Sequence, residues 1–549
     1  MSKKKRKGTW YKYKTTPYHH QVKALKKLLS TRWGGALLME PRTGKTKVLI
    51  DYASILHIRG HVNRVLVFCP TGVMGVWESE IPKHCPVKHR ITLWDKDARK
   101  ELDLPRFGQD VLDFVIVNYE AAATAGALRR DPKTGKVCYW RQYKKGARYK
   151  PQPDQYLRDE FTRELVLNDK GKPIKDFKAR KIRDRKGGRY EFRNKIKAWQ
   201  PQLIALDESH RIKNPSAAKS RSIHQFRDIA SYRVIMTGTV VTKAKRIYDV
   251  YSQWLFLNWM RFVDDIGETM TYREFKQEFS VITERNGYPQ WLRNKNEGKL
   301  HKLMHKDAYS VLRKDCFDLP PLTPQIIPIH LDESAEMYDA MAEDMVARIT
   351  DGEVVEASIA LVQGLRLRQL SNGIAKSSPT KQHPKGRLHI IGSEKLRVIE
   401  DRLEDLMEAR EHVIIGASFR PDLQRLEKLC KKHRWKNFVV MGGVPRADRD
   451  RFVKEFENHD GGAVFIANPA AASEGIDLRS AAITIWYSLP TSWVNYSQFM
   501  DRNALHDGPR FVEYLLASGV DQLAYETLMA DEDLGKRMIT SPKRLLRDD

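Results

Sequence analysis

The stretch that most limits what this chain can fold into is Gly35-Ala36-Leu37-Leu38, then Met39-Glu40-Pro41-Arg42-Thr43-Gly44-Lys45-Thr46, then Lys47-Val48-Leu49-Ile50-Asp51-Tyr52-Ala53. The first part predicts a short buried strand and the last the opening turns of a helix. A Gly-Lys-Thr held between them is the core of a phosphate-binding loop. Backbone N–H groups and the positive end of the helix cradle phosphates, Lys45 reaches the β and γ oxygens, and the Thr46 hydroxyl can hold Mg²⁺. The strict pattern places a glycine where Met39 stands. Whether the tripeptide is a working loop therefore depends on the chemistry carried downstream of it.

Other apolar runs fit the same architecture. Arg64–Thr71 and Phe114–Tyr119 predict buried strands of a parallel sheet, with a helix through Trp77, Glu80 and Ile81 after the first. Strand and helix in alternation is the doubly wound α/β pattern. Leu203-Ile204-Ala205-Leu206 is a strand ending in Asp207-Glu208-Ser209-His210, which puts two carboxylates at the edge where α/β sheets bind ligands. Asp207 is placed to bind Mg²⁺, and Glu208 to orient or deprotonate an attacking water. Tyr232–Thr239 ends in Thr237-Gly238-Thr239, hydroxyls suited to a coupling element beside a γ-phosphate. Tyr18-His19-His20-Gln21 opens an amphipathic helix. The Gln21 amide offers a donor and an acceptor for adenine, or is a surface glutamine.

Charge supplies the partner class. With 97 Lys and Arg against 69 Asp and Glu, the net charge is +28. Such an excess points to a polyanion, nucleic acid first, as against a merely solvated surface. It is concentrated in residues 121–200, which hold 24 basic and 9 acidic residues, an excess of 15, interleaved with Tyr139, Trp140, Tyr143, Tyr149, Tyr156, Phe161, Tyr190 and Phe192. Hairpins and loops inserted on a sheet edge are expected there, serving as a nucleic-acid surface or as a solvated insertion. Residues 1–16 predict a basic disordered arm, either phosphate-contacting or solubilising. The scattered cysteines suggest neither a metal site nor a disulfide framework, and no apolar run is long enough for a membrane span.

The order of these elements is specific. Gln21, Gly44-Lys45-Thr46, Pro70-Thr71, Asp207-Glu208-Ser209-His210 and Thr237-Gly238-Thr239 resemble the motifs of superfamily 2 helicases, in the variants of the Snf2 (Swi2/Snf2) branch. Val311–Pro321 resembles the segment that follows the first motor lobe in that branch, and Leu365–Gly373 the helix preceding the second. Ala472–Leu478 resembles motif V and Tyr496–Arg502 motif VI.

The resemblance implies two RecA-like parallel-sheet lobes with helical Snf2-type elements between them and the basic insertion in lobe 1. The expected division is a basic arm 1–16, lobe 1 at 17–260 with an insertion at about 121–200, and a mainly helical segment and linker at 261–385. Lobe 2 then spans 386–520, followed by a helical tail 521–549. ATP with Mg²⁺ would lie between the lobes, on Gln21, Arg42, Thr43, Gly44, Lys45 and Thr46 of the first and Gly475 and Asp477 of the second. Arg502 would serve as an arginine finger, where the plain alternative is an ion pair with Asp501. Gln498 joins Thr237, Gly238 and Thr239 in coupling.

DNA contacts are implied at Thr71, Trp77, Asn118, Tyr119, Ser418, Phe419 and Ser473. The implied activity is a DNA-dependent ATPase that translocates on duplex or branched DNA. The rivals are a strand-separating superfamily 2 helicase and a hydrolysis-deficient nucleic-acid clamp. A monomer of the compact phage or bacterial type is expected, cytoplasmic, or nuclear if eukaryotic. Two departures stand out: family loops usually carry glycine where Arg42 stands, and motif VI usually carries a second arginine where Leu505 stands.

Overall fold

A computed structural model describes residues 11–94, 110–123, 139–141, 150–152, 172, 180–181, 188–243, 246–264, 266–285, 288–317, 321–348, 354–356, 360–378, 383, 386–472 and 476–539. Two parallel sheets organise it. The first sheet uses β1 (Gly34–Met39), β2 (Arg64–Cys69), β3 (His89–Trp94), β4 (Leu112–Asn118), β5 (Leu203–Asp207), β6 (Tyr232–Thr237) and β7 (Ala308–Val311), in the order β7-β1-β6-β5-β2-β4-β3. The second uses β8 (Leu322–Pro328), β9 (His412–Gly416), β10 (Lys436–Val440), β11 (Ala463–Ala467), β12 (Ile483–Trp486) and β13 (Arg510–Leu516), in the order β8-β13-β12-β9-β11-β10. The fold class is therefore α/β with two parallel-sheet lobes, as the sequence pattern implied.

Each central strand is apolar throughout because both of its faces are covered. Alternation assigns the faces: Ala36 and Leu38 of β1 enter one core, and Leu37 and Met39 enter the other. In β9, Ile414 faces one core of the second lobe and Val413 and Ile415 the other. Helix α1 (His19–Leu29) precedes β1 and α2 (Lys45–Ile58) follows it. Val48, Leu49, Ile50, Tyr52 and Ala53 of α2 are buried in the same core as Leu37 and Met39.

Three expectations are corrected by this packing. The stretch 261–385 is mixed, not mainly helical. It contributes β7 to the first sheet, β8 to the second, and an antiparallel hairpin of Ser280–Arg285 with Tyr288–Asn294. Its short β-rich runs carry no clean alternation, because β8 is an edge strand; an edge position tolerates Pro324 and Pro328, which lack ladder donors. The chain thus passes from one sheet to the other between Val311 and Leu322, upstream of the proline-rich stretch around 377–386.

Within 121–200, the helix α3 (Gly188–Trp199) belongs to the lobe. Phe192, Ile196 and Trp199, at i, i+4 and i+7, are at most 2% exposed in its core. Phe192 is therefore a core residue and not a stacking platform. Of the rest of that basic stretch, a small antiparallel sheet of Tyr139–Arg141, Lys150–Gln152 and Arg180–Lys181 is described, and the remainder lies outside the described residues.

Residues 11–16 are docked, contrary to an arm disordered to residue 16. The Tyr11 hydroxyl donates to Asp51 at 2.5 Å, Lys14 Nζ to the Pro82 carbonyl at 2.6 Å, and Tyr11 and Tyr13 pack on the core. The two aromatic rings give a basic segment the apolar anchor that its charge alone would not. Residues 1–10 lie outside the described residues. Among the described residues no helix is long and apolar enough to cross a membrane.

A buried polar knot fastens the second lobe. Lys395 Nζ donates to Asp521 Oδ2 at 2.7 Å and Asn372 Oδ1 at 2.9 Å; Asn372 Nδ2 and Ser488 Oγ donate to Asp422 Oδ2 at 2.8 and 3.1 Å. Burial pushes the Asp422 carboxyl up to about 7. The folded chain therefore holds a proton that the unfolded chain releases between the ordinary aspartate range and about 7. Stability from this group is greatest below that window, falls as pH rises through it, and is flat above. Asp422→Asn should accordingly gain stability relative to the parent at pH 8 and lose that advantage at pH 5, as read from urea unfolding of the full chain.

Candidate functional site

β1, β6 and β5 are parallel neighbours, so their carboxyl ends bring the loop after Met39, Thr237 and Asp207 side by side. Met39 is the last residue of β1 and is fully buried; it is a strand residue in the core, and the loop proper begins at Glu40. A glycine at position 39 is thus not required by this loop. Gly44 caps α2 in the left-handed region at φ 83°, and a Cβ there would lie 2.1 Å from Gln21 Nε2. Lys45 is buried, and its Nζ donates to the Met39 carbonyl at 2.8 Å and the Glu40 carbonyl at 3.2 Å. Thr43 Oγ1 donates to the Glu40 carbonyl at 2.7 Å, and Thr46 is half-buried in the first turn of the helix.

Gln21 is not a surface glutamine. Its Nε2 donates to the Thr43 carbonyl at 3.3 Å and its Oε1 accepts from the Tyr18 N–H at 3.0 Å. The His20 ring meets the same Thr43 carbonyl at 2.9 Å. Tyr18 stacks on His20 with centroids 5.6 Å apart, and Phe317 stands edge-on to both. His20, Tyr18 and Phe317 had no role in the sequence reading. Only the fold brings Phe317, from the passage between the lobes, to the loop.

Asp207 ends β5 in a dry setting. Its Oδ2 accepts from Trp77 Nε1 at 3.0 Å, and its carbonyl accepts from the Tyr119 hydroxyl at 2.7 Å. Both rings are fully buried, so Trp77 and Tyr119, expected as DNA contacts, are corrected to buried supports of the acidic strand end. Their apolar bodies fill the core while a single polar tip finds a partner. Burial, with the neighbouring Glu208 charge, raises the Asp207 carboxyl above the usual range. Burial acts upward on Glu208 too. There the hydrogen bond and charge of His210, helped by Lys45, prevail, and Glu208 is pushed down.

Glu208 sits at φ 55°, a strained conformation for a residue with a side chain. Its carboxylate accepts from Thr237 Oγ1 at 3.2 Å and lies 3.2 Å from His210 Nδ1, while the Thr239 N–H donates to Thr237 Oγ1 at 2.9 Å. A Cβ on Gly238 would come within 2.7 Å of Pro41, so this coupling loop packs directly on the phosphate-loop segment.

The second lobe closes the site. Arg42 takes φ 67°, the conformation that a glycine would supply, and its guanidinium reaches across the lobes to Asp477 Oδ1 at 2.7 Å and to the Arg502 carbonyl at 3.2 Å. The pair is part-exposed, so its worth is at most about 1 kcal/mol. Arg502 lies along its own lobe, donating to the Gln498 carbonyl at 2.6 Å and the Ile476 carbonyl at 2.7 Å. Asp501 pairs with Arg313 at 2.7 Å, and the Arg313 N–H donates to Glu40 at 2.6 Å, tying the inter-lobe passage to both walls. Glu40 and Arg313 were missed from sequence because their partners are hundreds of residues away.

Of the remaining expected DNA contacts, Thr71 is exposed and lines an open cleft of about 460 Å³ with Arg211, Gly442, Gly443, Arg449 and Asn495, residues of both lobes. Asn118 Oδ1 accepts from the Ala121 N–H at 2.8 Å. Ser418 Oγ donates to the Leu489 carbonyl at 2.8 Å, and Arg368 lies 5.4 Å over the Phe419 ring. Ser473 and Gly475 lie outside the described residues.

A family model described as SNF2-related domain matches residues 19–375, and one described as Helicase conserved C-terminal domain matches 394–504. The chain belongs to the SNF2-related family. An ISWI chromatin-remodeling complex ATPase of Arabidopsis thaliana is 22% identical over 462 residues, covering 82% of this chain and 36% of the relative. A probable chromatin-remodeling complex ATPase chain of Oryza sativa subsp. japonica is 22% identical over 352 residues, covering 61% and 30%. The chain thus spans about a third of the length of these relatives. A solved structure titled Sulfolobus solfataricus SWI2/SNF2 ATPase core in complex with dsDNA is 19% identical, covers 96% of this chain and 94% of its own, and has a TM-score of 0.40.

The chain therefore carries both an SNF2-related domain and a helicase C-terminal domain, one to each lobe's motif set. The crowding at Gly44 makes a direct prediction. Gly44→Ala adds a Cβ where φ is positive and Gln21 is in the way. ATP affinity, measured by calorimetry with a non-hydrolysable analogue, should fall on the order of tenfold or more, while the unfolding midpoint of the second lobe stays put.

Proposed function

We propose that this SNF2-related enzyme is a DNA-dependent ATPase that couples hydrolysis to translocation along duplex or branched DNA. The observation that carries the reading is the inter-lobe convergence of Lys45, Asp207 and Glu208 with Arg42, Asp477 and Arg502. A site built half from each lobe makes nucleotide state and lobe spacing one variable. Basic charge, +28 overall, and a cleft that crosses both lobes at Thr71 and Gly442 support a polyanionic track. Similar proteins include those named DNA excision repair protein ERCC-6 of Mus musculus and Chromodomain-helicase-DNA-binding protein 1-like of Danio rerio, at 23% and 20% identity.

Each residue then has a task. Lys45, now on the Met39 and Glu40 carbonyls, swings to the β and γ oxygens, and Gly44 with the first turn of α2 presents N–H groups to them. Gln21 and His20 hold the loop backbone from behind. The buried pair Asp207 and Glu208 fits a cation: two carboxylates share a dry corner, and burial together with the Glu208 charge drives Asp207 toward its neutral form. Asp207 and the Thr46 hydroxyl would hold Mg²⁺, which supplies charge neutralisation on the phosphates.

Glu208, kept ionised by His210, orients the attacking water, and Thr237 reports the state of that carboxylate to Thr239 and the neighbouring phosphate loop. Arg502 leaves the Gln498 and Ile476 carbonyls to meet the γ-phosphate on closure. Thr71, Asn118, Ser418, Phe419 and Ser473 are proposed to face the DNA backbone, the protein acting as a monomer. Backbone contacts carry no sequence information.

The hydrolysis-deficient clamp keeps a specific observation in its favour: Leu505 replaces one arginine and Arg502 is turned onto its own lobe. One set of rates separates the readings. ATP turnover is expected to rise with duplex DNA and to vanish in Lys45→Ala, and triplex displacement is expected to require ATP. Turnover equal to that of Lys45→Ala on every DNA would leave the clamp, and fork unwinding without triplex displacement would leave the strand-separating helicase. DNA affinity should drop steeply with salt, by about 10³-fold or more between 50 and 200 mM if about six phosphates are contacted.

A further inference from the structure

Arg510 opens β13 in the second lobe and is only 5% exposed, yet its guanidinium makes no hydrogen bond or ion pair with any described residue. Its Nε is buried without a partner. Buried guanidinium groups are almost always matched by a carboxylate, a carbonyl or a bound anion. Here the neighbours make matters worse. Burial lowers the pKa of Arg510, and the nearby cations Arg313 and Arg42 lower it further, against the opposing charge of Asp501. Asp501 is already paired with Arg313 at 2.7 Å, and Glu40 and Glu532 are the other carboxylates lining the same cleft.

The cavity that Arg510 lines is a second inter-lobe cleft, distinct from the one at Thr71 and Gly442. It holds about 400 Å³ and is walled on the first lobe by Glu40, Pro41, Gly238 and Thr239, which are the phosphate-loop segment and the coupling turn. Arg313 lines it too, with its own Nε unpartnered. Two arginines, each with a buried Nε lacking a partner, therefore line a cleft beside the phosphate-loop segment. Five residues upstream, motif VI carries Leu505 where a second arginine is usual.

We propose that Arg510, seconded by Arg313, is a phosphate-binding site on the second-lobe wall of the cleft, and that it supplies the cationic donor that Leu505 does not. The ligand class is a phosphate group carrying two negative charges. Its source is either the terminal phosphate of bound ATP or the inorganic phosphate released from it; both have the same tetrahedral set of acceptors for an Arg fork. The inference rests on the inter-lobe ATP site proposed above. It differs from that reading in placing a donor on β13, outside the motif VI helix.

The test uses the full chain and thermal unfolding, with turnover as the second readout. Four conditions at matched ionic strength in potassium chloride are compared: no ligand, MgADP, MgADP with inorganic phosphate, and Mg with a non-hydrolysable ATP analogue. In the parent, phosphate added to MgADP is expected to raise the melting temperature beyond MgADP alone. Arg510→Gln is expected to abolish that increment, and also the extra stabilisation of the ATP analogue over MgADP, while its response to MgADP is unchanged. Loss of only the first would assign the site to released phosphate; loss of only the second would assign it to the terminal phosphate of ATP.

Because an unpaired buried charge is removed, ligand-free Arg510→Gln is expected to melt at or above the parent. A merely structural arginine would move it down. Arg510→Lys is expected to recover part of the phosphate increment. The proposal is overturned if Arg510→Gln keeps both increments, or melts lower than the parent without ligand. Failure of the parent itself to respond to MgADP, as in a Lys45→Ala control, would instead overturn the inter-lobe ATP site on which the inference rests.

Discussion

Asp207 is a carboxylate in a place that water scarcely reaches, and much of the first lobe is arranged around that fact. It sits at the end of a strand buried on both faces, with the Trp77 indole on one of its oxygens and the Tyr119 hydroxyl on its carbonyl. Glu208 stands beside it in a left-handed turn. Two acids in a dry corner repel, and the repulsion is uneven: His210 and Lys45 keep Glu208 ionised while Asp207 is pushed toward its neutral form. An arrangement of this kind costs stability unless a cation arrives. On the proposed reading, Mg²⁺ with ATP would be that cation and would relieve the repulsion between the two acids.

Two arginines join this corner to the opposite wall. Arg42 takes the conformation usual for glycine and uses its side chain to reach Asp477, linking the lobes at the phosphate loop. Arg313 does the same from the passage between the lobes, through Glu40 and Asp501. The Arg42–Asp477 pair is part-exposed, of a strength that thermal motion and a nucleotide can both exceed, whereas Asp501 of the Arg313 pair is buried. The cores of the two lobes, by contrast, are separate and well filled. Separate cores joined by a polar seam suit the inter-lobe motor proposed above.

The local chemistry was legible in the sequence because it is local: a strand, a turn and a helix of fixed periodicity put Lys45 on a helix start and Asp207 on a strand end. Arg42, Asp477 and Arg502 were also named from motif order, and they do meet across the lobes. What could not be read was the direction in which aromatic side chains point. The family resemblance implies DNA contacts at Trp77 and Tyr119, but a tryptophan or tyrosine with one polar tip serves equally well as a buried strut. Phe192 was counted with a basic stretch because charge density hid its place on an apolar helix face. The departure of β7 and β8 to different sheets was likewise invisible, since edge strands with prolines and mixed polarity lack a periodic signature.

The central claim is that nucleotide state, triphosphate as against diphosphate, and lobe spacing are one variable. The most direct measurement is single-molecule energy transfer between dyes at Lys26 on the first lobe and Lys428 on the second, both exposed. Mg with a non-hydrolysable ATP analogue should shift the distance distribution to a single, narrower population, MgADP should not, and Lys45→Ala should abolish the shift. An unchanged distribution at analogue concentrations that saturate binding would contradict the account.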